Sequence, residues 1–490
     1  MAPHDPELAI DAALRARDAG LAEEGVPILA AALARHRDNA RLWHVLGLMH
    51  RALGDAEQAA RAFGEAARRA PNDLKAAHGL AQASLEAGYP AFELFERARL
   101  LAPADADLLI GRAAAQLAEG RGDAAVADLA LILANNPLWI AGHATFARIS
   151  VMLDGGATAT QSLEAAVARL PREAALWTEL LNVLIEASRF AEADAALRRA
   201  EPATGIGFER FEAVIASELG DGARADRLFA ALADVADTAH AVRHVRHLLR
   251  MGEPELAAAR IEPLLDRPDA DQLWPYAALA WRLTGDARAE WLEGDARLVG
   301  VYDLGEAVGD LDALAGCLRS LHGMRAPPLG QSVRGGTQTD GPLFARAEPE
   351  IRRLRAAVLD AVATHVAQLP PPDPRHPTLR HRPARLRFAG AWSVRLTSGG
   401  RHSNHVHPLG WLSSAFYVHV PSEIEMGPAP RGWLALGQAP HELGIDLPAL
   451  RLIEPRRGRL VLFPSTMWHG TLPFDRGERL TVAFDVACPV

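Results

Sequence analysis

Three histidines have the spacing a metal ion requires. In Asn404-His405-Val406-His407-Pro408 two imidazoles are one residue apart. On an extended strand, residues i and i+2 face the same side, so His405 and His407 can converge on one ion. His469 follows the apolar run 460–464 and can approach from an adjacent strand. Three imidazoles on one face leave three octahedral positions open, an arrangement that non-haem iron uses, although three histidines accept zinc, copper or nickel as readily. Ten residues further on, Arg479 and Thr481 share a strand face, a permanent cation and a hydroxyl able to hold a carboxylate. His402 competes for the ion and reads otherwise as a turn histidine; His419 reads as a packed residue.

Short strands must position these groups. After about residue 300 the helical rhythm gives way to glycine, proline and β-branched residues, with one amphipathic helix at about 347–368. Strand-like runs follow at 385–388, 392–397, 411–420, 432–436, 459–463 and 479–486, separated by turn residues, the pattern of a β-sandwich or jelly roll. The polar, glycine-rich stretch 331–339 reads equally as a loop that closes over a site and as a tight structural turn. Trp392, Trp411 and Trp468 read as core. The basic run Arg375, Arg380, Arg382, Arg385, Arg387 reads as a solvated strand edge.

The first three hundred residues are of another kind. Counting from Ala40, the residues Trp43, Leu46, Gly47, Ala59, Phe63, Ala66 and Pro71 take positions 4, 7, 8, 20, 24, 27 and 32 of a 34-residue unit. A second count from Ala174 puts Trp177, Leu180, Ala193, Leu197 and Ala200 at positions 4, 7, 20, 24 and 27, and prolines recur at 71, 103, 137 and 171. This resembles the tetratricopeptide repeat: paired antiparallel helices approach closely at small residues, large ones fill the groove, and neighbours complete each unit's core. Six to eight units in a right-handed superhelix are expected. Such an array offers a concave groove for a peptide or partner protein; a dimerisation or spacer arm is the plainer reading. His240, His244 and His247 share one helix face, read as solvated because Arg243 and Arg246 interleave them and no acidic or cysteine ligand is near.

Composition narrows the classes. Lysine and arginine number 52 against 61 acidic residues, a net charge of −9, which argues against a nucleic-acid coat. No apolar run reaches the roughly 18 residues a membrane span needs, and the start lacks a secretory pattern. Two distant cysteines, Cys317 and Cys488, are no disulfide framework. A cytoplasmic protein of two parts is expected: a repeat solenoid over 1–300 and a β-domain over 301–490.

The second part resembles the Fe(II)/2-oxoglutarate-dependent dioxygenases, in the bacterial branch where such a domain follows tetratricopeptide repeats. The resemblance rests on an ordered set of stretches over about 330–490: 331–339, 392–396, 404–408, 412–421, 463–470 and 478–485. It implies a double-stranded β-helix (jelly roll), with His405, His407 and His469 as iron ligands and 2-oxoglutarate as cosubstrate. Arg479 would pair with the distal carboxylate, helped by Thr481 and Tyr417. Oxidative decarboxylation to succinate would then drive hydroxylation of a substrate. There is one departure: the broader family has aspartate where this chain has His407. Three neutral imidazoles leave the site one charge more positive, so either the reactivity shifts or another carboxylate completes the shell. The cupin pattern lacks its glutamate here. A protein or peptide side chain docked by the repeats is the expected substrate. A scaffold with a non-catalytic oxygenase-like domain, and the same enzyme acting on a small molecule, are the alternatives.

Overall fold

A computed structural model describes residues 5–232, 237–382 and 385–488. By its internal contacts the chain forms two compact units. One holds the chain up to Asn136 together with Asp340–Arg355; the other holds Pro137–Thr339 and the chain from Ala356 onward. The first strand is Gly300–Asp303, and helices Leu311–Leu321 and Pro349–Gln368 follow it.

Sixteen helices among the described residues, from Pro6–Asp18 to Pro254–Ile261, run as eight consecutive pairs, the upper end of the expected count. Local chemistry starts many of them. Asn39, Asp55, Asp73 and Asp105 each accept a backbone N–H of the helix they precede. Close helix approach needs the small residues the repeat places there. In the first unit a Cβ on Gly47 would lie 2.8 Å from the Phe63 ring, and one on Gly79 would lie 2.7 Å from it. Also in that unit, Arg355 donates to the carbonyls of Leu53 (2.7 Å) and Gly54 (3.0 Å), tying the 340–355 segment to a helix end.

The three histidines at 240, 244 and 247 are not a solvated face. Their rings pack around Phe229 with centroids 5.7, 4.8 and 5.2 Å away, and His247 bonds Ser217 (3.0 Å) and Asp226 (2.8 Å). Helix-on-helix packing consumes them.

Nine strands in the described residues make two antiparallel sheets: β1 (Gly300–Asp303), β2 (Val333–Gln338), β3 (Phe388–His402), β4 (Gly410–His419), β5 (Leu434–Leu436), β6 (Arg451–Ile453), β7 (Arg459–Pro464), β8 (His469–Thr471) and β9 (Arg479–Ala487). The larger sheet has the order β1-β7-β4-β9-β3-β2 and the smaller β6-β5-β8. They are the two sheets expected of a jelly roll, and the described strands close no barrel. The run expected at 392–397 belongs to one long strand, β3, which takes in only Phe388 of the run expected at 385–388 and is bulged between Phe388 and Gly390. The stretch 331–339 carries an edge strand, β2, paired with β3.

Between the sheets Tyr417, Leu434, Leu436, Val461, Phe463 and Met467 form an apolar core. Within the second unit, helix Trp274–Thr284 packs against the segment leading into β8. Trp468 Nε1 donates to Pro275 O at 2.8 Å, and its ring meets Tyr276 edge-on at 5.5 Å. No described helix is long and apolar enough to cross a membrane. Cys317 and Cys488 are not joined in a disulfide.

Candidate metal centre

The His405-Val406-His407 segment lies just beyond β3 rather than on a strand. His405 is nonetheless extended, and it forms an isolated antiparallel bridge with His469, the first residue of β8. The bridge is two-way: His405 N–H donates to His469 O at 2.9 Å, and His469 N–H to His405 O at 3.0 Å. His407 N–H is held by Ser465 O at 3.0 Å. Main-chain pairing thus gathers the three imidazoles. One ligand nitrogen of each lies within 4.8 Å of the others, the one such histidine, cysteine or carboxylate group among the described residues.

Each ring is held from behind. His405 Nδ1 meets Ser403 O at 2.9 Å, His469 Nδ1 meets Met467 O at 3.0 Å, and His407 Nδ1 meets Asp485 Oδ2 at 2.6 Å. An acceptor on Nδ1 fixes the tautomer that leaves the Nε2 lone pair available to an ion. Burial first, and then the neighbouring imidazoles, push His405 and His469 well below the ordinary histidine range, which keeps the rings neutral. His402 stands outside the group. Its ring stacks on His405 at 5.8 Å, and burial, reinforced by Arg479, lowers it to about 3. Ser332 Oγ bridges His402 Nδ1 (3.1 Å) and His405 Nε2 (3.2 Å).

A cavity between the sheets contains these rings together with Arg479, Thr481, Ala483 and Asp485, the residues of one face of β9. Arg479 is 3% exposed and lies over the Tyr417 ring at 4.9 Å, and its Nη1 donates to Gly432 O at 2.8 Å. Its Nε and the Tyr417 hydroxyl are buried with no hydrogen-bond partner among the described residues. Tyr417 and Thr481 are cross-strand neighbours between β4 and β9. A buried guanidinium N–H on a cavity-lining residue, with a second orphaned donor on the ring beneath it, can complement a carboxylate.

Residues 390–485 match the family described as "Putative 2OG-Fe(II) oxygenase". This part of the chain thus resembles the 2OG-Fe(II) oxygenases. No curated protein matches the chain. Among solved structures, the chain is similar to "MamA 41-end from Desulfovibrio magneticus RS-1" (18% identity, TM-score 0.31, 35% of this chain and 99% of that one). It is also similar to a tetratricopeptide repeat protein from Parabacteroides merdae (17%, 0.30, 47% and 93%) and to a Pseudomonas putida prolyl-4-hydroxylase (17%, 0.28, 40% and 95%). Likenesses this distant carry no weight for the chemistry, which rests on the site's own residues.

Two residues of this part of the chain were not singled out by spacing. Trp392, expected in the core, lines the cavity and stacks on His407 with ring centroids 5.3 Å apart. Asp485 continues the alternation of Arg479, Thr481 and Ala483 along β9, a period-two signal extended by two more steps. Trp411 and Trp468 are buried as expected. The arginine run is spent locally: Arg380 pairs with Asp271 at 2.9 Å, and Arg382 donates to backbone carbonyls.

Proposed function

We propose that this chain is an Fe(II)/2-oxoglutarate-dependent dioxygenase that hydroxylates a protein or peptide side chain docked by its repeat array. One observation carries the reading. Three imidazoles, each with Nδ1 committed to an oxygen, share a cavity with a buried arginine whose Nε is unpartnered.

The donor set fits the group it would hold. His405, His407 and His469 would bind Fe(II), and Arg479 the distal carboxylate of 2-oxoglutarate, with the Thr481 and Tyr417 hydroxyls beside it. When bound, iron with 2-oxoglutarate and dioxygen would supply an oxidant strong enough for C–H bonds, one oxygen atom going to the succinate formed by oxidative decarboxylation and the other to the substrate. The chain's residues do the positioning. Ser403 O, Met467 O and Asp485 hold the ring protons, so the lone pairs face inward. Arg479 fixes the cosubstrate's orientation by a planar fork that lysine could not reproduce. Leu434 and Phe463, 3% and 0% exposed, give the cavity an apolar wall. Joining a docking array to this site raises the local concentration of any chain it captures, which favours a protein substrate.

The test needs no substrate. Fe(II) is loaded without oxygen, 2-oxoglutarate is added, and the weak visible charge-transfer band of the chelate is sought, with His469→Ala and Arg479→Ala alongside. A band abolished by the first variant and weakened by the second supports the reading. No band from folded, metal-loaded protein removes the cosubstrate, and a non-catalytic scaffold then leads. Succinate release stimulated by peptide pools rather than by free small molecules supports the substrate class.

A further inference from the structure

We infer that Asp485 is a positioning residue that supplies, from behind His407, the negative charge a carboxylate ligand would otherwise bring to the metal. The inference rests on the proposed metal site and adds to it a member that touches no ion directly.

The three candidate ligands differ in what holds them. His405 and His469 give their Nδ1 protons to neutral backbone carbonyls, whereas His407 gives its proton to a carboxylate at 2.6 Å. His407 also occupies the slot where the broader family carries aspartate. The missing charge has therefore not left the site; it has moved one imidazole outward, to the end of β9.

The carboxylate is held for this task. Asp485 is 8% exposed, and its Oδ1 accepts from Ser413 Oγ at 2.6 Å. Ser413 is its cross-strand partner between β4 and β9, so the sheet register sets that contact. Ser465 Oγ lies 2.9 Å from Ser413 Oγ, which lets Ser465 donate to Ser413 while Ser413 donates to Asp485. No arginine pairs with Asp485 among the described residues; its one ionisable partner is the His407 ring. A buried carboxylate needs a compensating cation. A divalent ion on the far side of that imidazole provides one, and the carboxylate in return makes His407 a more electron-rich ligand.

The experiment uses the full-length chain without oxygen. Fe(II) and Co(II) dissociation constants are measured by competition with a chromophoric chelator for wild type, Asp485→Asn, Ser413→Ala, His407→Asp and the His407→Asp/Asp485→Asn double variant. Asp485→Asn keeps an acceptor for His407 and removes the charge. Its dissociation constants should rise about 10–100-fold, while the metal-free melting temperature stays level or rises, since a buried charge has been deleted. Ser413→Ala keeps the charge and removes one support of the carboxylate, so its loss should be clearly smaller than that of Asp485→Asn. With His407→Asp the carboxylate is already a ligand, so adding Asp485→Asn should bring no further loss. Unchanged binding in Asp485→Asn overturns the inference. So does an equal loss in Ser413→Ala, or a large fall in the metal-free melting temperature of Asp485→Asn, since either makes the residue a packing anchor. A wild type that binds neither metal overturns the metal site itself, a different result from wild-type binding with an indifferent Asp485→Asn.

Discussion

His405 and His469 face each other across a two-way backbone bridge of 2.9 and 3.0 Å, and their ring centroids are 4.2 Å apart. Two of the three imidazoles are therefore placed by main-chain pairing, which costs no side-chain reach.

Because backbone pairing holds these rings, the site should bind metal without refolding. Metal should raise the melting temperature by mass action, about 2.7 kcal/mol at a hundredfold excess over the dissociation constant, with an unchanged far-ultraviolet spectrum. Chelator should reverse the shift. His469→Ala should abolish it while retaining helix content, because most helices lie before residue 300. Melting curves with Co(II) and with EDTA check this; an equal shift in the variant would place the metal elsewhere.

Arg479 anchors the cosubstrate in the proposed reading and does not touch the metal. Arg479→Ala should leave the Fe(II) constant within a few-fold and weaken 2-oxoglutarate binding by about 2–5 kcal/mol, the usual effect of truncating one partner of a buried charge pair. Arg479→Lys should recover little, because an ammonium lacks the fork. Calorimetric titration of the metal-loaded protein decides; unchanged cosubstrate affinity removes the anchor role.

The repeat period makes its own prediction. Phe63 is 1% exposed and wedged where Cβ atoms on Gly47 and Gly79 would lie 2.8 and 2.7 Å from its ring. Gly47→Ala should destabilise the first unit by about 1–3 kcal/mol through overpacking, even though alanine favours the helix by about 1 kcal/mol. Adding Phe63→Leu should restore part of the loss. Urea melts read the difference, and a Gly47→Ala chain more stable than wild type would mean the ring has room to move.

The parts legible in the sequence are those encoded by short-range period. Small residues at fixed places in a 34-residue unit announce the helix pairs, and alternation along 479–485 announces a strand face with a cation and a hydroxyl. What escaped is long-range. β1, β6 and β8 are three or four residues long, too short to show alternation, and exist because partners pair with them. β2 is rich in glycine and is held by the register of β3. The helix that supports Trp468 lies nearly two hundred residues earlier in the chain, and no local pattern announces that contact. Asp485 was within reach: the alternation needed only to be followed to the end of its strand.

Glu293 gives a pH prediction whose sign can be worked out. It ends the helix Arg288–Glu293 at 5% exposure, and burial raises its carboxyl from 4.5 to about 7, with Arg282 opposing the shift. The folded chain thus keeps a proton that the unfolded chain releases above its ordinary value. Stability from this group is complete below about pH 4.5 and is lost as pH rises to about 7, at about 1.4 kcal/mol per unit. Over that window the loss sums to about 3 kcal/mol. Glu293→Gln cannot ionise, so it lacks the slope. The variant should match wild type, or fall slightly below it, near pH 4.5 and be the more stable chain at pH 8. Calorimetric melts of both chains from pH 4.5 to 8 give the difference directly. A difference that does not change with pH would show that Glu293 ionises freely in the fold and that Arg282 or solvent meets the charge.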